Sequence, residues 1–360
     1  MSGIWGYTLR RLLFMIPTLI GIVTIAFVII QFVPGGPIDQ IAARMSGEGT
    51  SATANFDGSN PSGPTDGSGA TTSGLPPEVA KQLEKLYGFD RPVHERYFKM
   101  LKDFATFDLG TSYYKDEKVI DLIKSKMPVS ISLGFWTILL TYLISIPLGI
   151  RKAVRVGTAF DNWTSFLIIV GYAIPAFLFA ILLVVFFAGG NYWNIFPARG
   201  LTSDNWDDLS MMGKIGDYFW HITLPILAIS IGSFANLTML CKNSVLDEIN
   251  KQYVTTARAK GLGETQVLYG HVFRNAMMIV VAGFPHAFIT VLFASSLLIE
   301  VIFSLDGIGL LSFEAAMNRD YPVMLGSLFV FSLLGLVANL IGDICYVLVD
   351  PRIDFERRDV

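Results

Sequence analysis

Charge is scarce in this chain. Only 16% of its 360 residues are Asp, Glu, Lys or Arg, against about a quarter in a soluble domain. The 27 basic and 30 acidic residues leave a net charge of −3, without the basic face of a nucleic-acid binder, so no nucleic-acid partner is expected. The four histidines, His94, His221, His271 and His286, are scattered, which gives no metal-ligand spacing. There is no G-x-x-x-x-G-K-[ST] phosphate cradle, because Gly213-Lys214 is followed by Ile215, and no H-E-x-x-H, C-x-x-C or G-x-S-x-G. An intramembrane protease would need paired aspartates or a Ser–His pair within the membrane, and no serine-nucleophile motif lies near His286. These absences describe a non-catalytic chain with no metal and no cofactor of its own.

What is abundant is apolar sequence. Hydrophobic residues make up 52% of the chain, and they gather in long runs, the membrane pattern. Six windows lack Asp, Glu, Lys and Arg: Leu12–Ile38, Met127–Ile150, Asn162–Ala198, Tyr218–Cys241, Asn275–Ile299 and Tyr321–Gly342. Roughly 20 apolar residues cross a hydrocarbon core of about 30 Å. The fold class expected is therefore an all-α polytopic membrane protein with six transmembrane helices. The first window follows Arg10 and Arg11 but is too long for a secretory h-region, and Pro34-Gly35-Gly36-Pro37 is no A-x-A cleavage site; it is read as a retained span.

Short-loop charge sets the orientation. Arg10 and Arg11, then Arg151, Lys152 and Arg155, then Lys242, Lys251, Arg258, Lys260 and Arg274, then Arg352, Arg357 and Arg358 mark one side. The alternate loops are acidic, with Asp204, Asp207, Asp208 and Asp217, then Asp306, Glu314 and Asp320. Both termini are expected in the cytoplasm. Cys241 and Cys345 fall on that reducing side and are expected to be free thiols.

The chain divides into an N-terminal tail with the first span (1–38), an external segment (39–126), a core of five spans (127–350) and a cytoplasmic tail (351–360). Within the external segment, residues 46–73 are rich in Gly, Ser, Thr, Asn and Pro and read as a flexible loop. Residues 77–110 return to helical spacing. Val79, Leu83, Leu86 and Tyr87 share one face, Gly88 and Pro92 interrupt it, and Tyr97, Met100, Leu101 and Phe104 mark a second helix. Five spans carry an internal proline, Pro17, Pro147, Pro175, Pro225 or Pro285, and each is expected to kink its helix.

The stretch Tyr253–Ala276 is a polar, basic insert between two apolar runs. A short helix of small residues, Thr255, Thr256, Ala257 and Ala259, is expected to stop at Gly261. Small residues allow close approach to a partner; Tyr253, Arg258, Lys260 and Leu262 complete the surface, with Arg258 and Lys260 offering donors to acidic groups and Leu262, Val267 and Leu268 apolar contact. The insert lacks the large apolar face of a helix that rests on lipid, so docking to another protein is expected. Polar residues within spans are candidate pathway groups: Asn236, His286, Glu300 and Asn339. Glu300 and Asp343 lie at the ends of their windows and suit interfacial anchors or buried hydrogen-bond partners. The deeper Asn236, His286 and Asn339 suit either a hydrated path or helix–helix hydrogen bonds.

The segment TTARAKG resembles the coupling loop of ABC-importer permeases, and RRLLFMIPTLIG, QFVPGGP, LYGFDRPVHERY, FDLGTSY, GYAIPAFLFAILLVVFFA, HITLPILA, FSLDGIGLL, NRDYPVMLGSLF and DICYVLVDPRID extend the resemblance over nearly the whole chain. The chain is similar to the B-type permeases of the oligopeptide/dipeptide/nickel family, most closely its Yej-type microcin C/peptide branch. Two departures stand out. The family's Glu-Ala-Ala is Thr255-Thr256-Ala257 here, and its Ile-x-Leu-Pro is His271-Val272-Phe273-Arg274, so no salt bridge from that glutamate is carried over. The resemblance implies a type I importer fold with a periplasmic insert between helices 1 and 2, and coupling through residues 242–275. It also implies a bacterial inner-membrane location, a second homologous permease, one or two ATPase subunits holding ATP and magnesium, and a periplasmic peptide-binding protein. Peptides would pass inward by alternating access. An ion- or proton-driven carrier working alone is the alternative; it would need buried ionisable residues in mid-span, which are few.

Overall fold

The computed structural model describes residues 2–32, 77–86, 88–189, 192–293 and 297–349. Among them only one isolated bridge, Thr111 to Lys118, departs from helix, turn and coil. Helix α1 is Ser2–Phe32, α2 Pro77–Leu86, α3 Val93–Ala105, α4 Val119–Val154, α5 Ala159–Ala173, α6 Ala176–Phe187 and α7 Met211–Ile249. They are followed by α8 Gln252–Ala259, α9 Glu264–Val267, a π turn Leu268–Val272, α10 Phe273–Phe293, α11 Leu297–Ile302, α12 Ile308–Asn318 and α13 Tyr321–Val349. Five helices among the described residues are long and apolar enough to span a membrane, and six if the bent pair α5–α6 counts as one span.

That pair corrects the expectation of one uniform kinked helix from Asn162. The chain bends by 97° between Ala173 and Ala176. Pro175 has no N–H to continue the ladder, and its ring drives the preceding Ile174 out of the α region, to φ −83° and ψ 120°. At Pro17, Pro147, Pro225 and Pro285 the helix runs through without a break, as it does at Pro128. The fifth span is described as far as Phe293, and Glu300 lies in helix α11, beyond the undescribed residues 294–296. The loop 46–73 lies outside the described residues, as do Tyr87 and the side chains of Leu83 and Leu86.

The chain forms two compact units. The first comprises residues 1–11, 127–309 and 334–360. Its apolar core is built from α4, α6, α7 and α11, with Leu133, Leu183, Ile222, Leu224, Ile299 and Phe303 buried together. α4 and α7 cross closely, since a Cβ on Gly149 would sit 2.7 Å from Cys241 Cβ and 2.9 Å from the Thr238 carbonyl. A small residue at such a crossing lets two backbones touch. Both cysteines are free. At the chain ends, Tyr7 Oη and Arg11 Nε donate to Asp343 Oδ2 at 2.9 and 2.8 Å, so Asp343 is a bonded anchor.

The second unit comprises residues 12–126 and 310–333. The face of α3 expected from its spacing packs inward: Phe104 is buried with its ring tilted against Phe329, and Tyr97 lies against Phe27 with its hydroxyl 2.7 Å from Thr24 Oγ1. Asp320 caps α13: its carboxylate accepts the Val323 N–H, an acidic N-cap. The Ser112 hydroxyl and Tyr113 N–H donate to the same carboxylate at 2.5 and 3.2 Å.

Candidate functional site

α7 ends at Ile249 with Asn250 as its C-cap, and the chain turns at once into the eight residues of α8. Lys260 caps α8, and Gly261 takes a left-handed φ of +84°. Gly261 N–H then bonds the Arg258 carbonyl at 2.9 Å and Leu262 N–H reaches back to the Ala257 carbonyl at 3.3 Å. These paired bonds form a Schellman stop, which favours glycine at its left-handed position. The expected helix and its stop at Gly261 are therefore both present. α9 and the π turn carry the chain back into α10, which makes a hairpin between two spans.

The hairpin has two faces. Val254 and Ala257, three residues apart on α8, are buried, as are Val267 and Val272 on the return arm. They pack with Ile150, Ala153, Cys241, Val245, Ala276 and Met277. Val267 therefore turns into the molecule's own core, not toward a partner as its position suggested, and Leu268 packs against the same cluster. Ala257 is likewise small because α8 lies close on its own bundle. Thr255, Thr256, Ala259, Lys260, Gly261 and Leu262 face outward and are exposed.

Charged pairs hold the hairpin's shape. Arg258 Nε and Nη2 donate to Glu264 Oε1 and Oε2 at 3.0 and 3.1 Å, a bidentate clasp across the Gly261 turn. Arg258 is thus engaged within the chain, and Lys260 is the cation of the outer face without such a clasp. At the root, Tyr253 Oη donates to Glu248 Oε2 at 2.6 Å and accepts from Asn275 Nδ2 at 3.1 Å, while Lys251 Nζ meets Glu248 Oε1 at 2.5 Å. Burial, followed by the Glu248 carboxylate, pushes the Tyr253 phenol above its usual pKa. Tyr253 therefore fastens the start of α8 to the ends of α7 and α10.

A buried charge cluster in the same unit joins three helices. Lys152 at the end of α4 is fully enclosed. Its Nζ donates to the Asp161 carbonyl at 2.9 Å, Thr164 Oγ1 at 2.7 Å and Ser165 Oγ at 2.8 Å, and lies 3.0 Å from Asp161 Oδ1. Lys242 on α7 reaches both oxygens of Asp161, at 2.7 and 2.8 Å. Sequence reading used the two lysines for orientation and passed over Asp161, although a lone acid bounding an apolar window on a basic side was the available signal.

The candidate pathway residues are not brought together. Asn236 on α7 and Asn339 on α13 are exposed, and the side chain of His286 lies outside the described residues. Glu300 is fully buried. Ser130 Oγ donates to its Oε1 at 3.2 Å and accepts the Ile308 N–H at 2.9 Å. The carboxylate is pressed onto Gly307, where a Cβ would lie 2.3 Å from Oε1. This is the buried hydrogen-bond partner expected of a window-end acid, enclosed by protein in this conformation. Ser130 and Gly307 were not singled out by sequence, and their partnership spans a separation that no local pattern encodes.

Comparison with known proteins follows from this geometry. The family described as "Binding-protein-dependent transport system inner membrane component" matches residues 145–355. The chain is 56% identical to the peptidoglycan transport system permease protein YejB of Agrobacterium fabrum, over 99% of this chain and 100% of that one. It is 57% identical to the inner membrane ABC transporter permease protein YejB of Escherichia coli O157:H7, over 98% and 100%. It is 31% identical to the oligopeptide transport system permease protein AppB of Bacillus subtilis, over 97% and 99%.

Proposed function

Since the chain belongs to the family of binding-protein-dependent transport system inner membrane components, we propose that it is the permease subunit that carries peptides or peptide-like compounds into the cytoplasm. Members of this family are non-catalytic components of ABC importers, which work with an ATPase and a substrate-binding protein. The observation that carries the mechanism is the two-faced hairpin. One face is locked into the bundle by Val254, Ala257 and Val267, and the other presents Thr255, Thr256, Ala259, Lys260 and Leu262. Force applied to the outer face reaches the spans through the inner one, because Thr255, Thr256 and Ala259 share one eight-residue helix with Val254 and Ala257.

The ATPase subunits, one or two chains with ATP and magnesium, grip this outer face from the cytoplasm, where both termini also lie. A second, homologous permease completes the pathway, and Asn236 and Asn339, exposed in the single chain, become wall positions of that shared route. His286 is a third candidate wall position. Glu300 contributes through its bonds to the 300–308 turn. ATP binding and loaded binding protein favour different states of the pair, and that differential affinity drives alternating access. A hydrated route is required because an unpaired peptide amide in lipid costs several kcal/mol, on the order of 2–7. Two relatives are named for peptidoglycan and oligopeptide transport; their cargoes share the peptide bond, and that supports peptides, with peptide antibiotics of the microcin C type in the same chemical class.

The test is site-specific crosslinking in native vesicles. Photoreactive residues at Thr256 and Lys260 are expected to capture an ATPase subunit, while the same probe at the buried Val254 captures none. No ATPase adduct at either exposed position would reject the docking assignment.

A further inference from the structure

The second compact unit holds a pocket of about 580 Å³ for which the transport reading has no use. The end of α1, the start of α13 and the segment that includes α3 form its walls. α1 and α13 are apolar spans, and they meet the pocket at their termini, through Gln31 and Tyr321. The pocket therefore sits where helices leave the hydrocarbon and enter the headgroup layer. Phe27, Ile30 and Leu325 give it an apolar wall, and Tyr113 and Tyr321 add the amphipathic rings that favour that layer.

Its polar wall is unusual in composition. Lys85, Arg91, Arg96 and Lys99 line the pocket, and none of the four is in an ion pair among the described residues. Arg96 is held in place: Nη2 donates to Gln31 Oε1 at 3.0 Å and the guanidinium lies 5.3 Å over the Phe89 ring. Its Nε is buried without an acceptor. A charged donor left in that state is costly, and a phosphate oxygen is one of the acceptors that an arginine fork matches. The carboxylates of Asp90, Asp103 and Asp108 line the same pocket, so the site offers anions as well as cations. A bare anion would face repulsion from them, whereas a headgroup that carries a phosphate and an ammonium group would satisfy both signs.

We propose that this pocket binds the headgroup of an aminophospholipid, with the phosphate on Arg96 and its neighbouring cations, the ammonium against the carboxylates, and the glycerol end along Phe27 and Ile30. The proposal requires that α1 and α13 span a bilayer and is independent of what the protein transports.

The test uses the intact complex in nanodiscs of defined lipid, released into mild detergent and weighed by native mass spectrometry. Phosphatidylethanolamine is expected to stay bound more than phosphatidylcholine, whose quaternary ammonium has no N–H to donate. Arg96→Ala is expected to lower retention about tenfold, the ratio carried by the loss of one charge-assisted contact. Arg96→Gln, which keeps bulk against Phe89, should weaken retention as well, and Lys214→Ala in the other unit should not. Equal retention of the two lipids, or unchanged retention in both Arg96 variants, would overturn the assignment. So would occupancy by inorganic phosphate or free glycerophosphoethanolamine in place of lipid, which would make this a site for soluble phosphate compounds.

Discussion

Gly261 has open space around its missing side chain, so its requirement is conformational. Its φ of +84° costs an L-residue about 1–2 kcal/mol, and proline, fixed near −65°, does not adopt it. Gly261→Ala is expected to leave the complex assembled but lower its ATP-coupled uptake, and Gly261→Pro to abolish peptide uptake at equal protein level while the ATPase still turns over. Normal uptake by the proline variant would reject the role given to this turn. Gly307 is the opposite case: space, not φ, decides it. A methyl there collides with Glu300, and Gly307→Ala should destabilise the protein by about 1–3 kcal/mol, read as an earlier thermal transition. Asp320 gives a pH signature. Burial, its largest influence, raises its pKa above the ordinary value against the opposing pull of Ser112 and two backbone N–H groups. The native state therefore keeps this proton to higher pH than the unfolded chain does. Its contribution is complete below the ordinary carboxylate pKa and is lost as pH climbs through the raised one. Against Asp320→Asn, the wild type should lose relative thermal stability as pH rises above the ordinary carboxylate range; a constant difference would show that this group does not titrate there.

Among elements, the joint between α4, α5 and α7 is the most heavily charged buried contact in the first unit. Asp161 lies between two lysines, so removing a lysine and removing the aspartate are not equivalent. Lys242→Met leaves the Lys152–Asp161 pair balanced and should be tolerated best. Asp161→Asn leaves two ammonium groups facing each other and should cost about 3–5 kcal/mol, the loss typical when one partner of a buried pair is removed. Thermal unfolding of the two single variants checks the order, and a Lys242 variant weaker than the Asp161 variant would contradict it. The legibility of these elements follows from the range of the forces that make them. The hairpin could be read because helix, stop and small residues are local in sequence, and the Schellman bonds close within six residues. The six windows could be read because lipid demands apolar length. The 97° break at Pro175 was only half legible: proline announces a disturbance, but packing decides between a bend and a rupture. The bonds of Asp161 to Lys242 and of Glu300 to Ser130 join residues 81 and 170 positions apart, and sequence can mark such an acid but not name its distant partner.

For the molecule as a whole, the expectation is that uptake needs the full set of subunits. Reconstituted alone under an imposed proton gradient, this chain should move no peptide, whereas the assembled complex should do so only with ATP. Uptake by the lone chain would revive the carrier alternative. The hairpin's return arm carries a last implication. Val267 and Val272 are five residues apart yet both buried, where an α-helix at 3.6 residues per turn would set them about 140° apart. The π turn between them, closed by the Phe273 N–H to the Leu268 carbonyl, absorbs one surplus residue. It works as a phase adjuster between the coupling arm and the membrane helix above it. Removing that surplus at Gly270 would set the two valines four residues apart, the spacing that shares one face of an α-helix, so a single-codon deletion there should rewind the turn to regular α while both flanking faces keep their aim.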